Sequence, residues 1–114
     1  MLHGIDLDVH SGEILGIAGV EGNGQSELAE VLTGIRKATA GTVTITSVRD
    51  GKAGQTHDIT TMSARAVRQM GLAHIPEDRR GSGLVIAESV EDNMILGRQR
   101  WPEFSWHHFV LLFK

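Results

Sequence analysis

Three glycines, two amides and a hydroxyl crowd into residues 19–26, Gly19-Val20-Glu21-Gly22-Asn23-Gly24-Gln25-Ser26. Residue types at this spacing could hold an anion with the backbone alone. Glycine lets the chain turn through conformations closed to other residues and lets N–H groups come close to a ligand. Successive N–H groups then line a concavity of positive potential, and a helix that begins inside the loop adds the positive end of its dipole. Phosphate is the anion such loops suit, and the Ser26 hydroxyl stands where such a loop carries one. The standard spacing puts a lysine before that serine. Here the position is Gln25.

That exchange has a size. A charge-assisted hydrogen bond contributes about 1.5–3 kcal/mol, so its loss weakens phosphate binding roughly ten- to a hundredfold. Glu27 adds a carboxylate to the first helical turn, where it competes with phosphate for the same dipole. At ~6 Å and an effective dielectric of ~20 the repulsion is about 3 kcal/mol per unit charge before screening. The sequence therefore predicts a backbone cradle that survives, weak binding and no efficient phosphoryl transfer. The plain alternative is a tight strand-to-helix turn with no ligand.

The cradle needs a buried strand before it and a helix after it. Glu13-Ile14-Leu15-Gly16-Ile17-Ala18 is a short apolar run, as expected of a strand buried on both faces. Before it, Leu2, Ile5, Leu7 and Val9 alternate in part, which predicts a strand closed by a turn at His10-Ser11-Gly12. Residues 26–32 read as a helix with Leu28, Val31 and Leu32 on one face and Gly34 as its stop. Thr42-Val43-Thr44-Ile45-Thr46 is a β-branched strand, and the polar stretch 49–56, with Asp50-Gly51 and Gly54, predicts a hairpin tip. Ser63 should cap a helix reaching Met70, with Gly71 beyond it. Leu72-Ala73-His74-Ile75 reads as a short strand ended by Pro76. A charged loop, residues 77–83, follows. Ser89 and Asp92 resemble a capping box for a helix that turns Val90, Met94 and Ile95 inward and stops at Gly97. The mixture of strands and helices around a loop-rich centre is an α/β pattern.

Composition sets the outer bounds. A chain of 114 residues holds one small domain, and 40% hydrophobic with 22% charged residues is ordinary for a folded protein. The net charge of −3 gives no reason to expect a nucleic-acid partner, which favours a concentrated basic face. There is no cysteine, so disulfides and thiolate metal sites are excluded. No apolar run approaches the ~20 residues of a membrane span, and the first residues lack the features of a signal peptide. Glycine is the exception: 14 of 114 residues, about 12% against a usual 7% or so, with the densest cluster at 19–24.

Three stretches together resemble a known family. Residues 12–28, Gly-Glu-Ile-Leu-Gly-Ile-Ala-Gly-Val-Glu-Gly-Asn-Gly-Gln-Ser-Glu-Leu, resemble the degenerate Walker A region of ATP-binding cassette (ABC) transporter ATPases. Within that family the likeness is to the second cassette of the fused twin-cassette proteins that power importers of simple sugars and nucleosides. Leu32-Thr33-Gly34 and Gly41-Thr42-Val43 resemble the link into the antiparallel β-subdomain. Gly71-Leu72-Ala73-His74-Ile75-Pro76-Glu77-Asp78-Arg79-Arg80, with Gly83-Leu84-Val85 and residues 89–93, resembles the Q-loop region.

The resemblance implies a P-loop NTPase-like α/β fold with a central sheet, a P-loop helix and a small antiparallel β-subdomain. Residues 1–97 would be a partial nucleotide-binding domain, and 98–114 the start of a helical subdomain or a tail. It implies ATP and Mg2+ as ligands, held by Gly19, Glu21, Gly22, Asn23, Gly24, Gln25, Ser26 and Glu27. Ser26 would be the magnesium ligand, and Glu77, at the Q-loop position where intact cassettes carry glutamine, a second metal contact. The partners implied are a second ABC cassette and a transmembrane permease touching residues 77–83. The place implied is the cytoplasmic face of the inner membrane, peripheral through that permease. No signature motif, Walker B acidic pair, switch histidine or adenine-stacking aromatic is present. The chain is thus expected to be a front piece with no catalytic residues and no autonomous hydrolysis, from a protein that as a whole is a transport ATPase. The alternative is a non-catalytic interaction module that kept the fold and lost the nucleotide.

Other candidates read as structural. His74 has no acidic neighbour in sequence that would make it a base. His107-His108 point apart and lack a third ligand at metal spacing. Asp78-Arg79-Arg80 is either a solvated loop or a subunit contact. Trp101, Trp106, Phe109 and Phe113 are either a docking surface or core residues left exposed.

Overall fold

The glycine loop runs straight into helix α1, Gln25–Leu32, one residue longer at its start than the sequence predicts. Leu28, Ala29, Val31 and Leu32 are all half-buried, so the apolar face forms without any residue being fully enclosed. The helix stops as expected at Gly34, whose φ of +74° lies in the left-handed region that favours glycine. The Gly34 N–H donates to the Val31 carbonyl at 3.1 Å and the Ile35 N–H to the Glu30 carbonyl at 2.9 Å. Those paired bonds are a Schellman ending. The Thr33 hydroxyl adds a bond to the Ala29 carbonyl at 2.8 Å.

In this computed structural model residues 3–49, 52–106 and 110–111 are described, and the chain divides into two units, residues 1–73 and 74–114. In the first unit, strands β1 (Thr44–Arg49) and β2 (Lys52–Asp58) pair antiparallel, with Thr44 opposite Asp58 and Arg49 opposite Lys52. The expected strand thus starts at Thr44. Most of the polar stretch expected at a hairpin tip is instead strand β2. It carries little apolar alternation because a two-stranded ribbon leaves much of both faces in water, and cross-strand polar pairs serve instead. The Thr46 and Thr56 hydroxyls meet at 2.8 Å. The register slips between Thr46 and Val48, where a Cβ on Gly54 would lie 2.5 Å from the Ser47 hydroxyl. Asp50 and Gly51 lie outside the described residues.

Strand β2 feeds α2 (Ala64–Gln69), capped as expected by Ser63, whose hydroxyl accepts from the Ala66 N–H at 3.3 Å. Gly71 follows with φ +100°. The first unit's buried apolar residues are Ile59 and Val67, the latter 1% exposed. The end of α1 lies against the start of α2. A Cβ on Gly34 would sit 3.0 Å from the Met62 carbonyl oxygen, 3.0 Å from Val67 Cγ2 and 3.1 Å from the Ala64 nitrogen. Lys37 reinforces the seam by donating to the Thr61 carbonyl and, at 2.9 Å, to that of Met62.

Three expected strands are corrected. Residues 13–18 form no strand, and Ile14 is 98% exposed. The described part of the alternating segment, residues 3–9, also lies outside any strand; Leu2 is outside the described residues. A strand needs a neighbour to take its ladder bonds, and no described strand pairs with either segment. Residues 72–75 likewise form no strand, with Ile75 exposed.

The second unit contains two short helices, α3 (Arg79–Ser82) and α4 (Val90–Met94). The Ser89 cap holds, accepting from the Asp92 N–H at 3.1 Å, while the Asp92 carboxylate takes the Ser89 hydroxyl at 2.5 Å. The inward face expected of α4 holds at Ile95 and fails at Val90 and Met94. Val90 is 79% and Met94 81% exposed, whereas Ile95 is buried. The helix ends at Met94, before Gly97. Strands β3 (Ser105–Trp106) and β4 (Val110–Leu111) pair antiparallel near the end of the chain. His107, His108, Phe109 and Phe113 lie outside the described residues. No helix among the described residues is long and apolar enough to cross a membrane.

Gly34→Ala should destabilise the first unit by about 2 kcal/mol or more, adding left-handed strain to the crowding. Gly71→Ala, with nothing within 4 Å of its Cβ, should cost only the strain, about 1 kcal/mol. Equal shifts in urea midpoint for the two variants would show that crowding at Gly34 is unimportant.

Asp58 yields a pH prediction. The Thr60 hydroxyl, and then the Thr60 N–H, hold its carboxyl below the ordinary 3.8. A depressed folded value means that the ionised form stabilises the fold above the unfolded value, and this contribution fades as pH falls through the folded one. Asp58→Asn should therefore flatten the loss of stability below about pH 4, as read from urea midpoints across an acid series.

Candidate functional site

Residues 19–26 form a turn followed by an open helix start. The Asn23 N–H donates to the Val20 carbonyl at 3.2 Å, and Gly22, third in that turn, has φ +86°. A positive φ at this position is what a type II turn demands, hence glycine. Gly24 then sits at the N-cap of α1 with φ +92° and no side chain to cap it. The first helical bond runs from the Leu28 N–H to the Gly24 carbonyl at 2.9 Å. The N–H groups of Gln25, Ser26 and Glu27 precede it and have no acceptor within the helix.

These three donors are the candidate site. They fit the terminal oxygens of a phosphate, because they converge at the positive end of the helix dipole. A Cβ on Gly22 would meet nothing within 4 Å, so the approach over the turn is open. Of the residues predicted to hold nucleotide, Asn23 has already spent its backbone N–H inside the loop. Glu21 is exposed in the turn. Ser26 is exposed, with its hydroxyl directed to no partner among the described residues. It is the one metal-ligand candidate within the loop, and no cluster of three His, Cys, Asp or Glu among the described residues could hold a metal ion.

Gln25 behaves unlike the lysine it replaces. Its side-chain amide donates to the Ile17 carbonyl at 3.1 Å. The same amide lies over Gly19, where a Cβ would come within 2.9 Å of Gln25 Nε2. The side chain therefore turns back along the preceding segment, a role the sequence did not signal. With Ile17, Leu28, Ala29 and Leu32 it lines a groove of about 190 Å3 along α1.

Glu27 lies in the first turn of α1, where the sequence expects it. Arg36 binds Glu30 at 2.6 Å, and that bond, then the Glu30 charge, push the guanidinium above its usual range, with Glu27 adding a smaller push.

Glu77 belongs to the second unit and is exposed. Its carbonyl accepts from the Arg79 N–H at 3.1 Å, and its carboxylate has no partner among the described residues. Asp78 serves the backbone, capping α3 by accepting from the Gly81 N–H at 2.9 Å. A Cβ on Gly81 would collide with that carboxylate. Arg79 and Arg80 point into solvent, as does His74. Trp101 carries the Arg98 guanidinium 4.8 Å from its ring centroid. Asn93 has a structural importance that its place in the sequence does not announce. Its amide oxygen accepts from the Val85 N–H at 2.8 Å, and its nitrogen donates to the carbonyls of Ser89 at 2.9 Å and Val85 at 3.0 Å. One side chain thereby fixes the segment leading into α4.

Comparison with known proteins adds independent information. The family model described as ABC transporter matches residues 2–105. The nucleoside import ATP-binding protein NupA of Lactococcus lactis is 36% identical over 107 residues, 94% of this chain and 19% of its own. The guanosine import ATP-binding protein NupO of Bacillus subtilis is 44% identical over 92 residues, 81% of this chain and 16% of its own. The glucose import ATP-binding protein TsgD13 of Haloferax volcanii is 45% identical over 104 residues, 91% of this chain and 17% of its own. The chain spans less than a fifth of the length of these curated relatives. No solved structure matches it.

Asn93→Ala should raise the amide exchange rate at Val85 by about tenfold or more, since it strips bonds from both sides of one peptide segment. An unchanged rate would mean that the segment is held by something other than this side chain.

Proposed function

This chain belongs to the ABC transporter family, and we propose that it supplies the phosphate-binding loop of an importer's ATP-binding subunit. Membership makes the fold class α/β and P-loop NTPase-like, with the β1–β2 pair as the small antiparallel element. The observation that carries the functional reading is the loop itself. Two left-handed glycines deliver the chain to a helix start whose first N–H groups have no acceptor within the helix.

In this reading the Gln25, Ser26 and Glu27 amides bind the phosphate oxygens and the Ser26 hydroxyl joins the magnesium shell. Glu77 would be a second contact to the metal, as the Q-loop position implies. Bound ATP supplies the phosphate charge that draws two cassettes together; this chain's residues hold and orient it. No cation from the loop reaches the phosphates, so the site binds weakly and does not hydrolyse by itself. It would act as the holding half of a pair whose other half does the chemistry, as in the second cassette of a twin-cassette protein. Residues 1–97 would form the nucleotide-binding part, and 98–114 would lead into a helical subdomain. The cargo class proposed is a simple sugar or nucleoside, since relatives named for importing nucleoside, guanosine and glucose match the chain. The further partners are a second cassette and a membrane permease meeting residues 77–83 at the cytoplasmic face of the membrane.

Calorimetric titration of magnesium-ATP tests the reading. Binding in the range of roughly 10–100 μM is expected, one to two decades weaker than a micromolar lysine-bearing loop. Gly24→Asp should abolish it by placing a side chain and a negative charge at the helix start. Affinity unchanged by Gly24→Asp would remove the loop from nucleotide binding and leave an interaction module in its place.

A further inference from the structure

The side chain of Gln25 presents two facts that the phosphate-binding reading leaves unused. Its amide donates to the Ile17 carbonyl across eight residues, and its Nε2, Cδ and Cγ atoms lie where a Cβ of residue 19 would be, at 2.9, 3.0 and 3.5 Å. The hydrogen bond ties the first residue of α1 to the segment before the turn. A side chain at residue 19 would displace this amide from its place. We propose that Gln25 is a positioning residue, an internal strap that holds the glycine loop closed with no anion present.

The chemistry of the side chain favours this over a lysine. An ammonium is a compact, strongly hydrated charge, and one neutral carbonyl is a poor exchange for its water. It therefore orders a loop when an anion is there to receive it. A carboxamide is neutral and can donate to a carbonyl at little desolvation cost. The loop of this chain accordingly keeps its shape through its own atoms. A lysine-bearing loop would depend on its ligand for the same order.

The test is amide hydrogen exchange on the full chain without nucleotide, read at Asn23 and Leu28, whose N–H groups are bonded within the loop and at the helix start. In Gln25→Ala these amides should exchange roughly two- to tenfold faster, the worth of one neutral hydrogen bond, while the Met70 amide in α2 stays as slow as before. Gly19→Ala should give a similar acceleration alone and almost none when added to Gln25→Ala, because both break the same strap. If Gln25→Ala also loosens α2, Gln25→Met decides, since it keeps the packing and removes only the amide. Gln25→Lys should be fast alone and slow in saturating inorganic pyrophosphate, whereas the unaltered chain should be slow in both. Unchanged exchange in Gln25→Ala or Gln25→Met, additive effects of Gly19→Ala, or an anion-independent Gln25→Lys would overturn the proposal. The pyrophosphate arm rests on the phosphate-binding reading. The arms without anion do not, so failure of nucleotide binding and failure of the strap give different results.

Discussion

Three backbone N–H groups at the start of α1, on Gln25, Ser26 and Glu27, set the terms for the rest of the first unit. A helix always begins with donors that its own turns cannot satisfy. In most helices a Ser, Thr, Asp or Asn at the N-cap takes one of them. Here the N-cap is Gly24, which has no side chain to offer, and the turn before it passes through a left-handed Gly22. The side chain of Gln25 folds back onto the Ile17 carbonyl. Several separate choices of residue thus leave the same donors without an internal partner. This convergence matters more than any one glycine.

The far end of α1 obeys the opposite rule. Every orphan carbonyl that the Schellman ending can reach is satisfied, and the left-handed Gly34 lets the backbone of α2's cap region approach to about 3 Å. Lys37 then clamps the same seam through two carbonyls. The helix is therefore anchored at its C-terminal end and left open at its N-terminal end. That division leaves the donors of the first turn without partners inside the helix.

The second unit is held mostly by side chains bonding to nearby backbone. Asp78, Ser89 and Asn93 each satisfy main-chain groups within eight residues in sequence, while Leu84, Val85, Ile86, Val90 and Met94 remain exposed. Polar local bonds fix the shape of such a segment without burying its apolar residues. That is consistent with the helices there being only four and five residues long.

Local chemistry was legible from the residues alone. The glycine loop, the start and stop of α1, the Ser63 and Ser89 caps and the left-handed Gly71 all follow from interactions between residues a few positions apart, which a sequence displays directly. The family was legible for the same reason, since its motifs are short and contiguous. The tertiary structure decided what depends on distant partners. Residues 13–18 carry the apolar character of a buried strand, yet a strand exists only beside another strand, and the run itself does not encode which one. The direction of the Gln25 amide, the crowding at Gly34 and the outward turn of Val90 and Met94 are likewise set by what lies opposite in space. Spacing along a chain specifies the bonds a residue can reach nearby, and only the folded arrangement selects the bonds it makes across a distance.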